Sequence, residues 1–87
     1  METNHVFVVT KEMQWWESGN TTETEIFKSW PEANLYTTKV VGNEVNFFLT
    51  TYDNVNVSKQ SRQDFIKYTI TSEQSYTIIK IEKKEVK

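Results

Sequence analysis

The stretch SWPEANLYTTKVVGNEVNFFLTTYD, residues 29 to 53, decides the fold, because its second half can be read as helix or as strand. Ser29 with Glu32 three positions on matches a capping box, and Pro31 falls within the first turn, where its missing N–H is harmless. A short helix is expected over residues 30 to 38. Gly42-Asn43 then suits either a helix end in the left-handed region or a tight hairpin turn. Beyond it, Val45, Phe48, Leu49 and Tyr52 have the helical spacing i, i+3, i+4, i+7, whereas Phe-Phe-Leu-Thr-Thr-Tyr has the composition of a strand. The composition is followed here, and residues 44 to 53 are expected as a strand.

Working outward, HVFVVTKE at residues 5 to 12 is β-branched and aromatic and reads as the first strand. Residues 14 to 21 form a connection, and TETEIFK at 22 to 28 alternates loosely as a second strand. A single helix over 22 to 36 competes with this reading, but it would place Pro31 in a helix interior at about 3 kcal/mol. SKQSRQDFIKYT at 58 to 69 offers a serine cap, helix formers, and Phe65, Ile66 and Thr69 on one side, and is expected as a second short helix. SYTIIKIEKK at 75 to 84 is the last strand. The fold class is therefore α+β, an antiparallel sheet of about four strands with two short helices in the order β-β-α-β-α-β. If 22 to 36 is helical and 37 to 41 pairs with 44 to 50, the order becomes β-α-β-β-α-β, a ferredoxin-like arrangement.

Eighty-seven residues make one domain, with residues 1 to 4 and 84 to 87 expected to fray. A chain of this length buries only about 60 to 65% of its unfolded surface, so each large side chain matters. Aromatics are 14% of the chain against 37% hydrophobic residues in all, and bulky rings substitute for aliphatics in a thin core.

The chemistry is mostly exclusion. There is no cysteine, hence no disulfide framework, thiolate metal site or thiol nucleophile. His5 is the single histidine, beside a chain end, which argues against a histidine metal site or a catalytic triad. The two glycines are isolated and form no phosphate-binding loop. Asp53, Asp64 and Glu73 have no spacing that singles them out as an acid–base pair. No cofactor and no enzymatic activity are expected. The opening METNHVFVV has no basic leader, and its apolar run is too short for a membrane span, so a cytoplasmic protein is expected.

Charge is uneven along the chain. Residues 1 to 44 hold three lysines and seven acids, net −4, and residues 45 to 87 hold seven basic and five acidic residues, net +2. The tail mixes Lys80, Lys83, Lys84 and Lys87 with Glu82 and Glu85 and reads as solvated. A neighbour pair such as Lys67-Tyr68 is too little interleaving of basic and aromatic residues, so direct nucleic-acid binding is not expected.

The combination VFVVT, an aromatic loop and EIFKSWPEANLY resembles the strand, strand, short-helix opening with E-A-x-x-Y of small uncharacterised accessory proteins from bacteria and their phages, over residues 6 to 36. The richness in Lys, Asn, Thr, Ile and Glu is similar to that of products of AT-rich genomes. The resemblance implies no catalytic residue; it implies a small protein that inhibits host machinery or host defence, anti-CRISPR proteins included.

Two surfaces stand out. Apolar residues occupy both parities of the expected strands, Val6 and Val8 against Phe7 and Val9, and Ile79 and Ile81 against Tyr76 and Ile78, with 44 to 53 read the same way. Both sheet faces are thus expected to be apolar, the second covered by another copy, by a partner, or by the loops at 14 to 21 and 53 to 58. The other surface is MQWWESGN at 13 to 20, where adjacent Trp15 and Trp16 are either core or contact. Acids surround them, which favours a partner with a basic groove, such as a nucleic-acid enzyme. Glu12, Trp15, Trp16, Glu17, Glu23, Glu25 and Trp30 are the candidate partner-binding residues. The two functions carried forward are a non-catalytic inhibitor of a host protein and a homodimer joined through its second sheet face.

Overall fold

The computed structural model describes residues 5–15 and 19–86. Its elements run β1 (His5–Trp15), β2 (Gly19–Phe27), α1 (Trp30–Thr51), β3 (Asn56–Arg62), β4 (Phe65–Thr71) and β5 (Ser75–Glu85). The strands form one sheet in the order β2-β1-β5-β4-β3, antiparallel at every pairing. The antiparallel sheet is as expected, but the arrangement of four strands and two helices is corrected: the order is β-β-α-β-β-β, and the ferredoxin-like alternative does not hold either.

The first correction falls on residues 44 to 53. Residues 44 to 51 continue the helix, which runs unbroken through Gly42-Asn43 to Thr51. Ser29 caps it as expected, its hydroxyl accepting from the Glu32 N–H at 3.4 Å. At the other end the Tyr52 N–H donates to the Phe48 carbonyl at 2.8 Å. Ala33, Thr37 and Phe48 are buried in one stripe, with Val40, Val41 and Val45 packed against the same core. Burying a side chain of Phe48's size contributes about 1.5 to 3 kcal/mol. That exceeds the roughly 1 kcal/mol lost to a glycine in a helix interior. Strand-like threonines are accommodated because Thr38 and Thr50 donate their hydroxyls to the carbonyls of Asn34 and Asn46, at 2.8 and 3.0 Å.

The second correction is at residues 58 to 69, expected as a helix. They form most of the β3–β4 hairpin, turning at Gln63-Asp64 with Asp64 at φ 59°, a left-handed position aspartate tolerates. Period two wins here because Ile66, Tyr68 and Ile70 share one face, and Ile66 and Ile70 are buried in the sheet. β3 is exposed along its whole length and polar except at Val57. Cation–π contacts from Lys59 to Tyr68 at 5.4 Å and from Arg62 to Phe65 at 4.5 Å accompany its pairing with β4.

Because β2 and β3 are the two edges, α1 must cross the whole sheet between them, and it covers one face. Phe7, Val9, Ile79, Ile81 and Ile70 meet Ala33 and Phe48 there. The expectation of two apolar faces is also corrected. Residues 44 to 53 contribute no strand, and the face away from the helix mixes Val6, Val8, Ile78 and Tyr76 with Thr10, Lys67, Lys80 and Glu82, all half-buried. Of the loops expected to cover that face, residues 14, 15, 19 to 21 and 56 to 58 are themselves sheet.

Candidate partner-binding surface

The β1–β2 hairpin carries most of the residues singled out in the sequence. Register runs from Phe7 opposite Phe27 to Trp15 opposite Gly19, which sits at φ 81° and so takes the left-handed conformation that glycine adopts without strain. Among the described residues β2 has a neighbour on one side only, leaving the backbone N–H and C=O groups of its other edge unpaired. From Gly19 to Ile26 every side chain is exposed, because the helix departs from the far end of this strand.

Glu23 and Glu25 alternate with Thr22 and Thr24, so both carboxylates lie on the helix side of the edge. Glu23 sits opposite Lys11. The ammonium of Lys11 is turned instead to Glu44 on the helix, at 2.6 Å. Among the described residues, Glu23 and Glu25 therefore form no ion pair and present bare negative charge.

The other expected contact residues are scattered. Glu12 pairs with Thr22 and lies on the opposite face of the sheet from Glu23 and Glu25. Trp30 begins the helix and is half-buried, its ring edge-on to Phe7 at 5.6 Å, so it belongs to the rim of the core. The backbone of Trp15 closes the hairpin and also pairs with Ser75. The side chain of Trp15, with Trp16 and Glu17, lies outside the described residues. The structure thus brings Glu23 and Glu25 together on an edge and separates Glu12 and Trp30 from them.

Two features escaped the sequence reading. One is the polar junction between helix and sheet, where Thr77 Oγ1 donates to Glu44 Oε2 at 3.4 Å while Lys11 holds Oε1. The other is a basic patch on the open face, assembled from β3, β4 and β5. A period-two reading of 56 to 71 would have exposed the patch; the helical reading of 58 to 69 concealed it.

His5 is exposed and edge-on to Phe7 at 5.4 Å. Among the described residues no group of three or more His, Asp or Glu side chains could hold a metal ion. A small polar recess between the end of α1 and the β4–β5 turn is lined by Thr51, Tyr52, Asp53, Glu73 and Gln74, and Asn54 Nδ2 donates to Glu73 Oε1 beside it. No described helix is long and apolar enough to cross a membrane.

Fold and surface define a small antiparallel-sheet protein with one crossing helix among the described residues, an acidic edge and a basic patch on the open face. No protein-family model, curated protein or solved structure matches the chain.

Proposed function

We propose that this chain is a non-catalytic protein-binding module that engages a basic partner through the acidic edge strand β2. In the finer form of this reading it is a phage or mobile-element accessory protein, working in the host cytoplasm and inhibiting a host protein or defence system. The observation that carries the proposal is the state of β2: exposed from Gly19 to Ile26, unpaired along one backbone edge, with Glu23 and Glu25 free of ion pairs among the described residues. An open edge accepts an added strand through main-chain hydrogen bonds, and side chains on alternate positions supply selectivity. Two carboxylates on one side of that edge favour a lysine- or arginine-rich segment and speed its encounter.

The homodimer through the open sheet face is the less favoured reading. Lys67 and Lys80 stand directly opposite one another there. A second copy packed on that face would desolvate both and bring further lysines near them.

The test is capture of a partner from host lysate, followed by titration of that purified partner against the wild type and Glu23→Lys/Glu25→Lys. Both positions are exposed, so the variant should stay folded, with at most about 1 kcal/mol lost where the new charge at position 23 faces Lys11. Loss of at least tenfold in affinity is expected. Undiminished binding by the charge-reversed chain would remove β2 from the interface.

A further inference from the structure

The sheet face away from α1 has a charge pattern unlike that of the chain as a whole, which is net −2. Lys67 on β4 and Lys80 on β5 are direct partners in register near the middle of that face. Like charges directly opposite one another disfavour strand pairing, so nothing in folding calls for this juxtaposition. Arg62 lies on the same face, opposite Phe65 and over its ring. Of these three cations, Lys80 is paired with a carboxylate and, among the described residues, Arg62 and Lys67 are not. Glu82 is engaged by Lys80 at 3.3 Å and by Lys84 at 3.9 Å, and Glu12 sits opposite Ile78, in the row beyond the lysine pair. Among the described residues, Arg62 and Lys67 have no carboxylate partner.

What surrounds the cations is equally informative. Thr10 is the partner of Lys80 on the other side, Thr69 follows Lys67 two residues along, and Phe65 precedes it by two. Tyr76, also half-exposed, ends the same face on β5. Residues two apart on a strand are about 6.6 Å apart, so rings, hydroxyls and cations recur at short, regular spacing.

The geometry points to this face as a binding surface for single-stranded nucleic acid. Arg62 and Lys67 would hold phosphates, joined by Lys80 as it exchanges Glu82 for phosphate, and Tyr76 would offer its ring to an unstacked base. A polypeptide strand gains its hydrogen bonds at an edge, where backbone groups are free, and gains none on a face. A flat surface of cations and rings suits a flexible polyanion with stacking bases instead. The site is separate from the β2 edge and does not depend on the reading of that edge.

The test is fluorescence anisotropy of the full chain with a labelled oligothymidylate of about 20 nucleotides, starting near 50 mM salt. Binding is expected, with a log–log salt slope near −2, from three neutralised phosphates at roughly −0.7 each. Lys67→Glu/Lys80→Glu should weaken it by at least about tenfold, and Tyr76→Ala by about fivefold. Glu23→Lys/Glu25→Lys should still bind. Circular dichroism guards against misfolding, and Lys67→Gln/Lys80→Gln serves if the charge-reversed chain does not fold. Absence of binding, or binding indifferent to both lysine variants, overturns the proposal. So does equal competition by polyglutamate of matched length, which would assign the face to acidic polypeptides.

Discussion

Lys11 on β1 and Glu44 on α1 form an ion pair of 2.6 Å between the sheet and the helix, with only 19% and 16% of their side chains exposed. Thr77 adds a hydroxyl to the second carboxylate oxygen. The pair joins the later half of the crossing helix to β1, an interior strand of the sheet, beside the buried Thr77. It marks one position along the helix that satisfies both charges, and so one placement of the helix across the strands.

Removing one member should therefore be costly. Glu44→Ala leaves an ammonium without its partner in a largely buried site, and a loss of about 2 to 4 kcal/mol is expected, somewhat below the fully buried range because some solvent reaches both groups. Lys11→Met/Glu44→Leu should recover most of that loss by replacing charge with packing. Urea denaturation of Lys11→Met, Glu44→Leu and the double closes the cycle. Additive effects would mean that the two side chains do not interact in solution.

Gly42 tests the continuity of the helix. It is exposed, helical, and a methyl group there would meet nothing within 4 Å. Gly42→Ala should raise stability by about 0.5 to 1 kcal/mol. Gly19 is the contrasting case: its space is also open, but φ is 81°, so Gly19→Ala should lose about 1 to 2 kcal/mol. Thermal melting reads both, and destabilisation by Gly42→Ala would place a turn at Gly42-Asn43 instead.

The two faces of the sheet are separated by a pair of aspartates. Phe48 is 2% exposed beneath the helix, so Phe48→Asp should unfold the domain, losing more than the roughly 3 to 5 kcal/mol of a simple truncation to alanine. Ile78 lies half-buried on the open face opposite Glu12, and Ile78→Asp should leave a folded chain weakened by about 1 kcal/mol through lost packing and cross-strand repulsion. Circular dichroism with denaturant titration distinguishes them. Equal unfolding by both would mean that the open face is covered.

β2 was read as strand over a competing helix only because that helix would have held Pro31 in its interior, whereas β1 and β5 were legible because their residues carry the strand signal locally, in β-branched and aromatic runs. The start of α1 was legible for the same reason, since a serine cap, a following proline and a glutamate act within one turn. Of the candidate site, Glu23 and Glu25 could be placed on one face from their spacing alone. Glu12 could not, because its face depends on where the hairpin turns.

The sequence by itself determined where the helix begins, the antiparallel character of the sheet, the concentration of negative charge around β2, and the absence of thiol chemistry. Those follow from residue type and short-range spacing. Only the tertiary structure decided that the helix runs through Gly42-Asn43, that SKQSRQD is strand and turn, and that Lys67 meets Lys80. Local propensities in those segments differ by tenths of a kcal/mol to about 1 kcal/mol per residue. Burying Phe48, Ile66 and Ile70 contributes about 1.5 to 3 kcal/mol each. Burial outweighs propensity, its partners lie far away in the chain, and it selects the period that each ambiguous segment adopts.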